Sequence, residues 1–220
     1  TVVQTCALTI CPGVTNAATG IGQAYADSIP MLVISSANDR KSLGKGWGRL
    51  HESTDLCAIT RPITAFSVMV NHPSELPGHI AKAFAVFSAQ RPRPVHIAIP
   101  IDVMEMTVAE DWSPVVVPQL PMPSSGSFSD AATLLASSQK TVMVVGGGCQ
   151  HASGEVTRLA GLLNVGVIAS NAGKGVVSDE NLLSLGGGII SPAVQDYLGK
   201  AHVVLAIGTE LGEADSFIYD

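Results

Sequence analysis

Short, mostly apolar runs of about five residues recur along the chain, at 31–35 (Met-Leu-Val-Ile-Ser), 66–70, 95–99, 141–145, 165–169 and 203–207. Runs of that length, rich in Val and Ile, suit strands buried on both faces. They fall far short of the ~18–20 apolar residues that a membrane-spanning helix needs. Between them the spacing predicts helices. One runs over 15–26, capped by Thr15, with the small residues Ala17, Ala18, Gly20 and Gly22 for close packing. Another runs over 73–90, with Leu76, Ile80, Ala83, Phe84 and Phe87 on one face. Further helices are expected at 53–59, 130–138, 151–163 and 192–198. Strands alternating with helices imply an α/β chain of two doubly wound parallel-sheet units.

The stretch between the two units has another texture. Residues 106–127 carry Pro114, Pro118, Pro121 and Pro123 and end in Ser124-Ser125-Gly126-Ser127, which reads as a linker. The chain opens at Thr1 directly into an apolar stretch, without a signal-peptide pattern, and stops at Asp220 without a closing helix. The expectation is a piece of a longer protein. The balance of 12 Lys+Arg against 18 Asp+Glu gives a net charge of −6, the opposite of a nucleic-acid-binding surface. Cys6, Cys11, Cys57 and Cys149 show no CxxC spacing, so neither a zinc site nor a secreted disulfide frame is expected. No metal ligands are expected in the chain, and a reducing, cytoplasmic setting is.

Four segments could carry chemistry. Cys11-Pro12-Gly13-Val14-Thr15-Asn16 lies where a strand hands over to a helix. In open α/β sheets ligands bind at the carboxyl ends of the strands, and the free N–H groups of a helix start favour an anion or a polar heterocycle. A structural Pro-Gly turn explains the same residues. Gly44-Lys45-Gly46-Trp47-Gly48-Arg49-Leu50-His51-Glu52 is a polar loop ending in a His beside an acid. That pair suits acid–base work near neutral pH, and equally a solvated loop. Gly146-Gly147-Gly148 and Gly173-Lys174-Gly175 follow strands but fit neither the dinucleotide fingerprint nor the Walker pattern. They read as phosphate-approaching loops or as tight turns. Cys11 at a helix start could have a lowered pKa but has no visible catalytic partner, and Cys149 reads as a small buried residue.

Taken in order, these segments resemble the thiamine-diphosphate-dependent 2-oxo-acid enzymes of the acetolactate synthase group. Cys11-Pro12-Gly13-Val14-Thr15-Asn16 through Ala26-Asp27-Ser28-Ile29-Pro30 looks like the group's GPGxTN…ADSxP segment. His51-Glu52 followed by Thr60-Arg61-Pro62-Ile63-Thr64 is similar to its Gln-Glu…TRxIT stretch. Arg91-Pro92-Arg93-Pro94-Val95-His96-Ile97-Ala98-Ile99-Pro100-Ile101-Asp102-Val103 looks like the end of its first domain. Gly146-Gly147-Gly148, Gly173-Lys174-Gly175 and Ala206-Ile207-Gly208 resemble its central domain.

The resemblance implies a truncated pyrimidine-binding domain over 1–105, the linker 106–127 and a partial central domain over 128–220. It implies thiamine diphosphate as cofactor, with Pro12, Gly13 and Asn16 beside its aminopyrimidine ring. Mg²⁺ would be held by a third domain outside these residues, and some members bind FAD in the central domain, which is left open here. The group's activating glutamate falls upstream of residue 1, and Glu52 does not match it. His51 stands where acetolactate synthases carry a cofactor-proximal glutamine, which makes it the candidate catalytic residue and puts the acetolactate reaction in doubt. Gly48-Arg49-Leu50-His51-Glu52, Ala83-Phe84-Ala85-Val86-Phe87, Arg91-Pro92-Arg93-Pro94-Val95-His96-Ile97, and Gly208-Thr209-Glu210-Leu211 with Ala214-Asp215 look most like the branch that decarboxylates 5-guanidino-2-oxopentanoate. The guanidinium of that substrate would suit acidic neighbours such as Glu52, or groups outside these residues. The expected function is therefore 2-oxo-acid decarboxylation in a homodimer or homotetramer, with no nucleic-acid or membrane partner. The 220 residues alone are expected to be inactive. The alternatives are an acetolactate synthase large subunit and a non-catalytic nucleotide-binding module built on the Gly-rich turns.

Overall fold

The computed structural model describes residues 4–8, 12–109 and 111–213, with the backbone alone for 4–8. Cys11, the Ala214-Asp215 pair and the two chain ends lie outside the described residues. Contacts divide the chain into two compact units, Thr1–Met122 and Pro123–Asp220.

In the first unit, β1 (Gln4–Leu8), β2 (Met31–Ala37), β3 (Phe66–Met69) and β4 (Val95–Pro100) form a sheet in the order β1-β2-β4-β3, all parallel. The helices are α1 (Gly13–Ala26), α2 (Leu56–Thr60), α3 (Leu76–Ala89) and the single turn α4 (Ile101–Met104). Both faces of the sheet are covered, which is why the central runs lack polar alternation. Leu32, Val95 and Ile97 pack with Ala83, Val86 and Phe87 of α3. On the opposite face, Met31 and Val33 meet Ile21 and Ala24 of α1, while Ala37 and Ala98 meet Val14, Leu56 and Cys57. Register agrees with this division: Leu32 pairs with Val95, and Val33 pairs with His96. Each fully buried Val, Leu or Ile contributes roughly 1.5–3 kcal/mol.

Two expectations change here. Thr15 is not the cap of α1. The helix begins at Gly13 after Pro12, whose carbonyl accepts the first helical bond from the Asn16 N–H at 2.8 Å. The proline ring restricts φ to near-helical values, −89° here, so the chain enters the helix earlier than a hydroxyl cap would place it. Thr15 instead donates its hydroxyl back to the Pro12 carbonyl at 2.9 Å. The helix expected from residue 130 is longer than its apolar periodicity indicated. It is α5 (Ser125–Ser137), capped by Ser124, whose hydroxyl accepts from the Ser127 N–H at 3.2 Å. The last residues of the stretch read as a linker are therefore helical.

In the second unit, β5 (Thr141–Val145), β6 (Val167–Ala169) and β7 (Val203–Ile207) form a parallel sheet in the order β6-β5-β7. Central β5 is buried along its whole length. α6 (Ser153–Leu163) covers one face, with Val156 and Ala160 against Met143, Val145, Val167 and Ala169. α7 (Pro192–Gly199) covers the other, with Val194, Tyr197 and Leu198 against Val142, Val144 and Ile168. Both units are thus doubly wound α/β layers. No described helix is long and apolar enough to cross a membrane.

Candidate functional site

In a parallel sheet every strand points the same way, so the segments leaving their carboxyl ends gather along one edge. In the first unit these are the start of α1, the loop 38–54 after β2, Asn71 after β3 and α4 after β4. Arg40 ties three of them together. Its backbone N–H donates to Asp102 Oδ1 at 3.0 Å, its Nε to Asp102 Oδ2 at 2.7 Å, and its Nη1 to the Asn71 carbonyl at 2.6 Å. Partial desolvation pushes the Asp102 pKa up, and the bonds from Arg40 outweigh it, so the carboxyl sits below its ordinary value.

The loop itself is wound on Glu52. Oε1 accepts from the Gly46 N–H at 2.7 Å and the Trp47 N–H at 3.3 Å, and Oε2 accepts from the Arg49 N–H at 3.1 Å. Partial desolvation raises the Glu52 pKa, but the N–H groups of Arg49, Gly46, Trp47 and Gly48 prevail and hold it below the usual carboxylate range. Both carboxylate oxygens are engaged by loop amides, and Glu52 lines the same depression as His51. His51 is exposed and holds a left-handed backbone conformation, φ 54°. It lines an open depression of about 680 Å³ with Gly46, Gly48, Arg49 and Thr54.

Pro12 and Asn16 are exposed in and beside the first turn of α1, and Gly13 is half-buried. They share the carboxyl edge of the sheet with the loop, but none of them lines the His51 depression. The edge of a planar polar heterocycle fits this turn. Asn16 offers both a donor and an acceptor, and Gly13 has no side chain to hold a ring away.

One buried group was not singled out from the sequence. His96, in the middle of β4, is fully buried, with Nε2 2.8 Å from Ser35 Oγ and Nδ1 2.8 Å from Thr60 Oγ1 and 2.9 Å from Ser67 Oγ. Burial lowers its pKa to about 4, so the ring is neutral. The only hint in sequence was a lone polar residue inside an apolar run.

The Gly-rich turns of the second unit serve the fold. A Cβ on Gly146 would collide with the Gly208 carbonyl, and one on Gly173 with the Val145 carbonyl. Their N–H groups are engaged within the chain: Gly146 donates to Ile207 at 2.9 Å, Gly148 to Gly208 at 3.0 Å and Gly173 to Ser170 at 3.0 Å. That leaves these three amides no role in cradling a phosphate, against the nucleotide-module alternative. Cys149 is buried, as expected, with Sγ 3.1 Å from the Ile207 carbonyl. Among the described residues no group of three or more His, Cys, Asp or Glu could hold a metal ion.

Comparison with known proteins accounts for both units. Residues 1–59 match the thiamine pyrophosphate enzyme N-terminal TPP binding domain, and residues 128–218 match the central domain of the same enzymes. The chain is 46% identical over 206 residues to a probable 2-ketoarginine decarboxylase of Pseudomonas aeruginosa, covering 93% of this chain and 37% of that protein. It is 30% identical over 219 residues to a probable acetolactate synthase large subunit of Methanocaldococcus jannaschii, covering 94% of this chain and 36% of that protein. Against acetolactate synthase 2 of Nicotiana tabacum it is 30% identical over 186 residues, covering 82% of this chain and 28% of that protein. The chain spans about a third of the length of these relatives. With matches to two successive domains in their family order, this chain belongs to the thiamine pyrophosphate enzymes.

Proposed function

We propose that the chain works in a thiamine-diphosphate-dependent 2-oxo-acid decarboxylase whose substrate is 2-ketoarginine, that is, 5-guanidino-2-oxopentanoate. The observation that carries this reading is the 46% identity over 93% of the chain to a probable 2-ketoarginine decarboxylase, against 30% to acetolactate synthases. The His51-Glu52 pair supports it, since His51 stands where acetolactate synthases resemble one another in carrying glutamine.

Thiamine diphosphate, when bound, supplies the carbon nucleophile for the 2-oxo group and the sink for the electron pair released with CO₂. The part of this chain is to hold and to shuttle protons. Pro12 and Gly13, at the start of α1, would lie beside the aminopyrimidine ring, and the Asn16 amide would supply a donor and an acceptor for its polar edge. His51, exposed in the depression, gives or takes a proton at a ring nitrogen beside the substrate. Mg²⁺ would be held by a domain outside these residues. The exposed Trp47 and Leu50, beside His51, mark a surface facing a second subunit of a cytoplasmic homodimer or homotetramer.

The test is CO₂ release by the full-length holoenzyme from 5-guanidino-2-oxopentanoate, with acetolactate formation from pyruvate as the competing readout. Decarboxylation should dominate, and the 220 residues alone should show no turnover. His51→Ala in the full-length enzyme should lower kcat/KM by about 10²-fold or more, the usual contribution of a general acid or base, with the circular dichroism spectrum unchanged. Acetolactate as the main product, together with flavin absorbance in the purified holoenzyme, would move the assignment to acetolactate synthase. An unchanged kcat/KM in the His51 variant would make it an ordinary loop residue.

A further inference from the structure

The loop 44–54 is unusual in how many residues take the left-handed backbone conformation: Gly44 (φ 67°), Gly46 (67°), Gly48 (71°) and His51 (54°). Alternating left- and right-handed residues turn successive N–H groups toward one point and make an anion-binding concavity. Here the anion is the chain's own Glu52 carboxylate. It takes the N–H groups of Gly46 and Trp47 on one oxygen and that of Arg49 on the other. The Glu52 N–H in turn donates to the Arg49 carbonyl at 3.0 Å, closing the turn around Leu50 and His51. For three of the four left-handed positions the sequence supplies glycine. The fourth is His51, whose Cβ disfavours that conformation. His is among the side chains that tolerate this conformation best, and the carboxylate of the next residue, bound by loop amides at both oxygens, is placed to fix it there.

We propose that Glu52 is the positioning residue for His51, a loop-shaping carboxylate that fixes where the imidazole stands in the depression. The inference rests on the reading of His51 as the proton-transferring group. It gives Glu52 a role besides any contact with substrate: in the depression it lines with His51, its carboxylate holds the loop amides. It also explains how an exposed loop can hold a catalytic side chain to the tolerance that proton transfer needs, since a displacement of about 1 Å can cost on the order of 10²-fold in rate.

The experiment uses the full-length holoenzyme and the variants E52Q, E52D, H51A and H51A/E52Q, with kcat and KM for 5-guanidino-2-oxopentanoate and backbone hydrogen exchange across residues 44–52. Gln keeps one carbonyl oxygen and turns the other acceptor into a donor, so E52Q loses part of the amide cage. It should lower kcat by about 10- to 100-fold, leave KM near that of the parent, and speed exchange of the Gly46, Trp47 and Arg49 amides. E52D, which keeps a carboxylate, should recover part of both losses. In the H51A background E52Q should cost nothing further, because there is no imidazole left to place. If H51A is slow but E52Q matches the parent, or slows H51A by its full factor, the positioning role falls while His51 stands. If H51A itself matches the parent, the His51 reading fails first and Glu52 positions nothing catalytic. Exchange at the three amides that is unchanged in E52Q would also overturn the proposal, whatever the kinetics.

Discussion

His96 is a base kept neutral by where it sits. Its ring lies in the core of the first unit, and hydroxyls from Ser35, Thr60 and Ser67 serve both ring nitrogens. A hydroxyl can donate or accept, so the set satisfies a neutral ring without any carboxylate to stabilise a charged one. The folded pKa, about 4, lies below the ordinary 6.5. Above pH 6.5 neither the folded nor the unfolded ring is protonated and the full stability is present. As pH falls from 6.5 towards 4 only the unfolded chain takes the proton, and stability is lost, on the order of 3 kcal/mol once pH is below 4. Carboxylates such as Glu52 and Asp102, whose pKa values are lowered, lose their share at more acid pH. Urea midpoints measured across this range should therefore fall already between pH 6 and 5 in the parent, and much less steeply in His96→Gln. Parallel curves for the two proteins would remove the buried imidazole as the cause.

At the scale of elements, the carboxyl edge of the first sheet is held by side chains rather than by further strands. Arg40 bridges the ends of β2, β3 and β4 through Asp102 and the Asn71 carbonyl. The guanidinium makes these contacts from a planar fork, which the single ammonium of lysine cannot reproduce. Both side chains of the pair are partly exposed, at 40% and 34%, so solvent screens much of the attraction. Arg40→Lys should then destabilise the chain by only about 1 kcal/mol. Its larger effect should be local, as faster amide exchange in loop 38–54 relative to β2 itself. Exchange in the loop as slow as in the parent would show that Glu52 holds it without the Arg40 bridge.

Across the whole molecule, the stretch between α4 and α5 carries no helix or strand among its described residues. It leaves Val116 and Met122 exposed at 90% and 85%, and the Ser88 hydroxyl of α3 donates to the Pro118 carbonyl at 2.7 Å. An extended, exposed backbone is what a protease requires. Residues 106–127 contain no Lys or Arg, so trypsin has no site there. Chymotrypsin or elastase should cut first within 111–124, after Trp112, Val115 or Val116, whose following residues are not proline, releasing two protected fragments. First cleavage inside β4 or β5 would contradict the division into two units and the proposed linker.

Much of this architecture was legible in one dimension because its causes are local. A run such as Val95-His96-Ile97-Ala98-Ile99 is a buried strand by length and side-chain type. Leu76, Ile80, Ala83 and Phe87 share a helix face by spacing alone, and both α3 and β4 form where those patterns lie. Boundaries were less legible where two local signals competed, as when Pro12 rather than Thr15 set the start of α1. The site was readable as residue types at a strand end, but not as an arrangement. Sequence placed His51 beside an acid. Only the folded loop shows both oxygens of that acid bound by the Gly46, Trp47 and Arg49 amides. His96 meets Ser35 across 61 residues and Thr60 across 36, and Arg40 meets Asp102 across 62. Such partners depend on the strand order β1-β2-β4-β3. Periodicity reports which face of an element is apolar, because that is fixed within a few residues. Which strand lies beside which, and so which polar groups satisfy one another in the interior, is decided only when distant faces are buried together.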